Sequence, residues 1–229
     1  MRKCFAEFLG SFAIVFAGTG AVIVNTISGG AITHLGISLT FGLIVMAMIY
    51  ALGDVSDAHF NPAVTVGFFL ARRFPAHRIG PYVACQFAGA LAASGTLRLL
   101  FGNIANLGAT LPRGSNLQSF VLEMILTALL MFVVLSVATG SKEQGLMAGI
   151  AIGGVITLEA LFAGPICGAS MNPARSIAPA VVSGNLHSLW VYFAGPLLGA
   201  ALAVPCWHAT RSKQTMKAQS LLTEEKVSI

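Results

Sequence analysis

The chain has 229 residues, 56% of them hydrophobic and 9% charged, with a mean hydropathy of +0.82. Soluble domains carry about 25% charged residues, so the composition excludes an ordinary water-soluble globule and suits a chain built for lipid. The formal charge of +5 is scattered over short loops and tails, which argues against a nucleic-acid partner.

In chain order, six apolar stretches reach the roughly 20 residues that a helix needs to cross a bilayer. They lie at about 5–25, 35–53, 79–101, 117–139, 146–164 and 189–209. The first holds Glu7 and no cleavage motif follows it, so it reads as a retained span rather than a signal peptide. Two shorter apolar pieces, 62–70 and 173–182, are about half a membrane thick at 1.5 Å per residue. Such a helix is tolerated at membrane depth only where protein or a water-filled cavity surrounds its end. The pattern predicts an all-α membrane protein with six transmembrane helices and two re-entrant half-helices.

Both short pieces open with the same triplet, Asn61-Pro62-Ala63 and Asn172-Pro173-Ala174. Asn caps helices, and Pro is tolerated at the first helical position, where its missing N–H costs nothing. The chain also repeats on a larger scale. Glu7 and Glu123 each lie near the start of the first helix of a half, and "GPYVACQFAGAL" near residue 80 is answered by "GPLLGAAL" near 195. The expected division is a first repeat over 1–105, a second over 115–210 and a tail over 211–229. Three spans per repeat is an odd number, so the second repeat inserts upside down, an architecture associated with transport.

With six spans, the side holding both termini collects Arg2, Lys3, Arg72, Arg73, Arg78, Lys142, Arg211, Lys213, Lys217 and Lys226, leaving Arg98, Arg113 and Arg175 elsewhere. The positive-inside rule then predicts cytoplasmic termini in a multi-pass cell-membrane protein. Cys4, Cys85, Cys167 and Cys206 have neither metal-ligand nor disulfide spacing. No cofactor or metal is expected.

Half-helices entering from opposite faces bring two positive helix N-termini to the bilayer centre. Asn61 and Asn172 can there offer amide donors to a lumen, favouring neutral acceptors and repelling cations, hydronium included. The backbone before each Asn cannot be helical, so the carbonyls of Asp57, Ala58, His59, Gly168, Ala169 and Ser170 are expected to line the passage. Glu7 and Glu123 are expected to brace these loops by accepting backbone N–H bonds. Helical spacing puts Ile14, Val45, Leu130 and Ile156 on an apolar wall, although each could instead face lipid or the core. An intramembrane Arg175 reads as a fixed donor and cation barrier, with a structural ion pair as the alternative.

"HFNPAVT", "SMNPARS", the two glutamates and the six-plus-two hydropathy resemble the aquaporin, or major intrinsic protein, family. "FGLIVMAMIYA" and "LFAGPICGASMNPARS" look most like its plant nodulin-like branch and bacterial relatives. The resemblance covers about residues 5–209 and implies a homotetramer with one pore per protomer. By position it implies a selectivity filter of Phe41, Ala160, Ala169 and Arg175. Strict water channels typically hold His where Ala160 stands, so a wider constriction, apolar on one side, is expected. Ser176 departs from the Asp usual in glycerol facilitators, and Tyr192–Phe193 keep the aromatic pair of the water-channel branch. Asp54, Asp57 and Glu159 also depart from the family pattern.

The predicted function is a passive channel for water and small uncharged solutes, such as glycerol and the hydroxides of arsenic, boron or silicon, excluding protons and ions. A strictly water-selective pore, or a non-conducting junctional protein of the same fold, is the alternative. An enzyme lacks support because the histidines pair with no Cys, Asp or Glu in a catalytic pattern. A coupled transporter lacks a clear midplane carboxylate. The tail's Ser212 and Ser220 make only a weak phosphorylation motif.

Overall fold

The computed structural model describes residues 1–139 and 145–210; the tail over 211–229 and Lys142 lie outside the described residues. Among the described residues, six helices are long and apolar enough to cross a membrane by length and composition. They are α1 (Arg2–Ile27), α2 (Thr33–Ser56), α4 (Ile79–Phe101), α5 (Asn116–Ala138), α6 (Ala148–Cys167) and α8 (Val191–Ala209). Two short helices stand between them, α3 (Pro62–Leu70) and α7 (Pro173–Ser183). A helix satisfies its backbone within itself, which is what an apolar solvent requires.

Several spans run past their apolar windows. α1 starts at Arg2, and α2 continues through Asp54 to Ser56. α6 continues through Pro165 to Cys167. Pro165 removes the N–H that Leu161 O would accept. His34 Nε2, from the first turn of α2, lies 2.7 Å from that carbonyl and satisfies it. The helix therefore survives a residue that reads as its end.

The two halves pack alike. α1 lies along α4 as α5 lies along α8, while α2 and α6 meet across the halves. A Cβ on Gly89 of α4 would overlap the carbonyl of Phe8, and one on Gly199 of α8 would overlap the carbonyl of Met124. Both close crossings depend on a missing side chain, as in membrane bundles generally. The half-helices then exchange partners: α3 packs on α8 of the other half, and α7 on α4. That exchange brings the starts of α3 and α7 together at the centre of the bundle.

Candidate functional site: paired helix N-termini beside a polar passage

Each half-helix starts for the same local reason. Asn61 is extended, at φ −153° and ψ 122°, and its Oδ1 accepts from Ala63 N at 2.8 Å. Asn172, at φ −145° and ψ 107°, accepts from Ala174 N at 3.0 Å and Arg175 N at 3.3 Å. Pro62 and Pro173 fill the first helical position. Asn caps of this kind stabilise a helix start by about 0.5–2 kcal/mol.

The loops before the two Asn residues share one backbone code. The fourth, third and first residues before each Asn have positive φ: Asp57 (67°), Ala58 (50°) and Phe60 (51°), matched by Gly168 (89°), Ala169 (41°) and Met171 (54°). Only the glycine adopts this region without steric penalty, so the others must be held. In the first loop Glu7 does this, accepting from His59 N (3.0 Å), Phe60 N (2.7 Å), Ser56 Oγ (2.7 Å) and Gln86 Nε2 (2.7 Å). In the second, Glu123 accepts from Ser170 N and Met171 N, both at 2.8 Å. Both glutamates are fully buried.

His59 is locked from the side. Its ring stacks on Phe68 at 4.6 Å and touches Phe74 and Tyr82. Thr65 Oγ1 donates to Asn61 O at 3.0 Å, so it accepts from His59 Nδ1 (3.1 Å) and from Gln86 Nε2 (3.0 Å).

The two Asn side chains do more than cap. Asn61 Nδ2 donates to Met171 O at 2.7 Å, and Asn172 Nδ2 donates to Phe60 O at 2.9 Å. Each amide thus spends one hydrogen on the opposite loop and keeps one. Both residues border a cavity of 1410 Å³ that runs from Asp54, Arg72 and Leu146 past the Asn pair to Phe41, Ala160, Ala169 and Arg175. Ile14, Val45, Leu130 and Ile156 line it, as do Asp57, Ala58, His59 and Ser170.

Gly168 is the left-handed C-cap of α6 and stands just before Ala169, which lines the cavity. The continuation of α6 to Cys167 uses Gly168 as a helix terminator. Sequence reasoning passed over the carbonyls of Phe60 and Met171, which accept the crossing amides.

At the end of the cavity, Arg175 is buried and its guanidinium carbon lies 4.9 Å from the centroid of the Phe41 ring. Its Nη1 donates to Gly108 O at 2.9 Å, so its partner is a carbonyl rather than a carboxylate. Gly108 closes a turn in which Ala105, Asn106 and Leu107 all have positive φ. Ser176, next to Arg175, joins a buried hydroxyl chain in which Thr110 Oγ1 donates to Ser176 Oγ at 2.7 Å, and Ser170 Oγ lies 2.5 Å from Ser176 Oγ. No sequence motif marked the Gly108 turn or Thr110, and the repeated stretch "GPYVACQFAGAL" holds Gln86 without indicating its partners. At the opposite mouth, exposed Lys3 and Asp57 form an ion pair at 3.6 Å.

Fold and site together define a membrane protein of six spanning helices, with two half-helices meeting nose to nose beside one large cavity. A family model described as major intrinsic protein matches residues 1–207, and the chain belongs to that family. It is 50% identical over 189 residues to aquaporin NIP1-1 of Oryza sativa subsp. japonica, covering 82% of this chain and 66% of that protein. It is 52% identical over 185 residues to putative aquaporin NIP4-1 of Arabidopsis thaliana, covering 80% and 65%. Nodulin-26 of Glycine max is 46% identical over 185 residues, covering 80% and 68%. The matched segment thus spans about two thirds of the length of these plant relatives. The fold also matches the crystal structure of the aquaglyceroporin from Plasmodium falciparum, with a TM-score of 0.85 at 24% identity over 93% of this chain and 98% of that one.

Proposed function

We propose that the protein is a passive channel for water and small uncharged solutes that excludes protons and ions. The observation that carries this reading is the crossed pair of Asn61 and Asn172, each with one amide hydrogen still available where both border the cavity. Water passing here meets two donors and two positive helix ends. It turns its oxygen toward both, which breaks the donor-to-acceptor chain that a hopping proton needs. The dipoles and Arg175 oppose cations.

In this reading the filter is Phe41, Ala160, Ala169 and Arg175. Two methyl groups leave room for a carbon skeleton, while Arg175 binds oxygens. Glycerol-sized polyols and the hydroxides of arsenic, boron or silicon are the proposed solutes. The protein is proposed to lie in the cell membrane with both termini cytoplasmic, as a homotetramer with one pore per protomer. The outward Leu35, Leu39 and Leu43 of α2 and Leu158 and Phe162 of α6 supply apolar surface for lipid or a neighbouring copy.

Light scattering on proteoliposomes under water and glycerol gradients tests the proposal. Both fluxes should exceed those of empty vesicles. Water flux without passage of any neutral solute would leave a strictly water-selective pore.

A further inference from the structure

Glu159 is a buried carboxyl group, 1% exposed, with no hydrogen-bond partner for either oxygen among the described residues. Glu7 and Glu123, by contrast, spend their oxygens on the two loops. An unpaired buried polar group costs free energy that an apolar side chain of the same size does not, so packing alone does not account for a carboxyl here. In either protonation state its oxygens need a hydrogen-bonding partner to offset the loss of water.

Its surroundings on α6 fix where it points. Gly153 and Thr157 face Gly42 of α2. Ile152, Val155, Ile156 and Ala163 pack into the cluster that holds Leu126 and Leu130 of α5. Glu159 falls on that second side, between Val155 and Ala163. It is two helical turns from Ile152, so the two share a direction, and Ile152 lines the cavity. Long helix side chains lean toward the helix N-terminus, which carries the carboxyl back from the level of Ala160 over Ile156, another wall residue. The wall that α6 gives the cavity consists of Ala148, Ile152, Ile156 and Ala160, without one polar side chain. Glu159 lies behind it, unpaired among the described residues.

We propose that Glu159 is a specificity-determining residue, turning past Ile156 and Ala160 to exchange hydrogen bonds with a hydroxylated solute that Arg175 holds from the other side. The inference rests on the reading of the protein as a channel for neutral solutes. Water is small enough to satisfy itself on Arg175, the loop carbonyls and its neighbours in the file. A polyol has hydroxyls on two edges, and the edge toward α6 meets only methyl groups unless Glu159 serves it. The residue therefore matters to the solute and little to water.

Proteoliposomes carrying wild type, Glu159→Gln or Glu159→Leu, assayed with water and with glycerol, test this. Glu159→Leu should lower glycerol permeability about tenfold, the worth of one hydrogen bond, and leave water within about twofold. Glu159→Gln keeps a donor and an acceptor and should stay within about threefold of wild type for both. Unchanged glycerol flux in Glu159→Leu, or an equal fall in water and glycerol, overturns the role of Glu159 while leaving the channel reading intact. A wild type that passes water and excludes glycerol overturns the solute reading itself. A second measurement does not depend on how the Leu variant folds. Infrared difference spectra of the wild type on glycerol addition should shift a carboxyl band that is missing from Glu159→Gln. A band indifferent to glycerol contradicts the proposal.

Discussion

Asn61 and Asn172 are bonded crosswise: the amide of each donates to the carbonyl just before the other, at 2.7 Å to Met171 O and 2.9 Å to Phe60 O. Two half-helices from the two halves of the chain are thereby clamped to one geometry. Each Asn also caps its own helix, so one side chain holds the helix start, the opposite loop and the lining of the cavity.

Replacing either residue should therefore do similar damage. Asn61→Leu and Asn172→Leu each lose a cap and a crossing bond, together about 1–3 kcal/mol of stability. Each should cut water permeability about tenfold or more, since the lost donor is replaced by a branched apolar group. Thermal unfolding in detergent and stopped-flow light scattering check the two effects. A loss confined to one of the pair would show that the halves do not share the centre of the passage.

The braces behind the loops are unequal. Glu7 accepts two side-chain donors besides its two backbone N–H groups, whereas Glu123 accepts two backbone N–H groups. Glu123→Gln turns one acceptor into a donor facing a buried N–H, and should cost about 1–3 kcal/mol of stability. Gln86→Leu removes a donor shared by Glu7 and Thr65 and should cost a similar amount. Denaturation midpoints of the two variants against wild type measure both losses. A variant as stable as wild type would mean that its loop is held by other contacts.

His34 should act on α6 rather than on the passage. His34→Leu leaves Leu161 O without the donor that Pro165 withholds. Because His34 is exposed, water can partly replace it, and the loss should be about 0.5–1.5 kcal/mol. A thermal shift assay reads this, with water permeability expected to stay near that of wild type.

What could be read in the sequence was local. An Asn followed by Pro states a helix start within three residues, and period and length reveal a span, so the framework and the two central triplets were legible. Contacts between distant residues in irregular backbone were not. The bond from Arg175 to Gly108 depends on three successive left-handed residues, Ala105, Asn106 and Leu107, of which only Asn106 tolerates that conformation by type. Gln86 sits in an apolar helix, and only the docking of α4 on α1 shows that it meets Glu7. The end of α6 was misplaced because its stop signal, Pro165, is countered by a histidine more than a hundred residues earlier in the chain.

Solute choice should turn on one position of the filter. Ala160→His fills the space a carbon skeleton needs and adds a ring nitrogen that water can use. Glycerol permeability should fall about tenfold or more, in the range that steric misfit in a pocket produces, with water changing far less. Light scattering with each permeant in turn decides this. Equal falls in both would place the narrowest point elsewhere than at Phe41, Ala160, Ala169 and Arg175.

The central claim is that the paired Asn residues and helix ends pass water while stopping protons. The most direct test measures both on the same wild-type proteoliposomes: shrinkage under an osmotic gradient, and internal pH under a proton gradient with the membrane potential clamped. The account predicts water permeability well above that of empty vesicles, with a low activation energy, and proton leakage no greater than theirs. Proton conductance rising together with water permeability would contradict it.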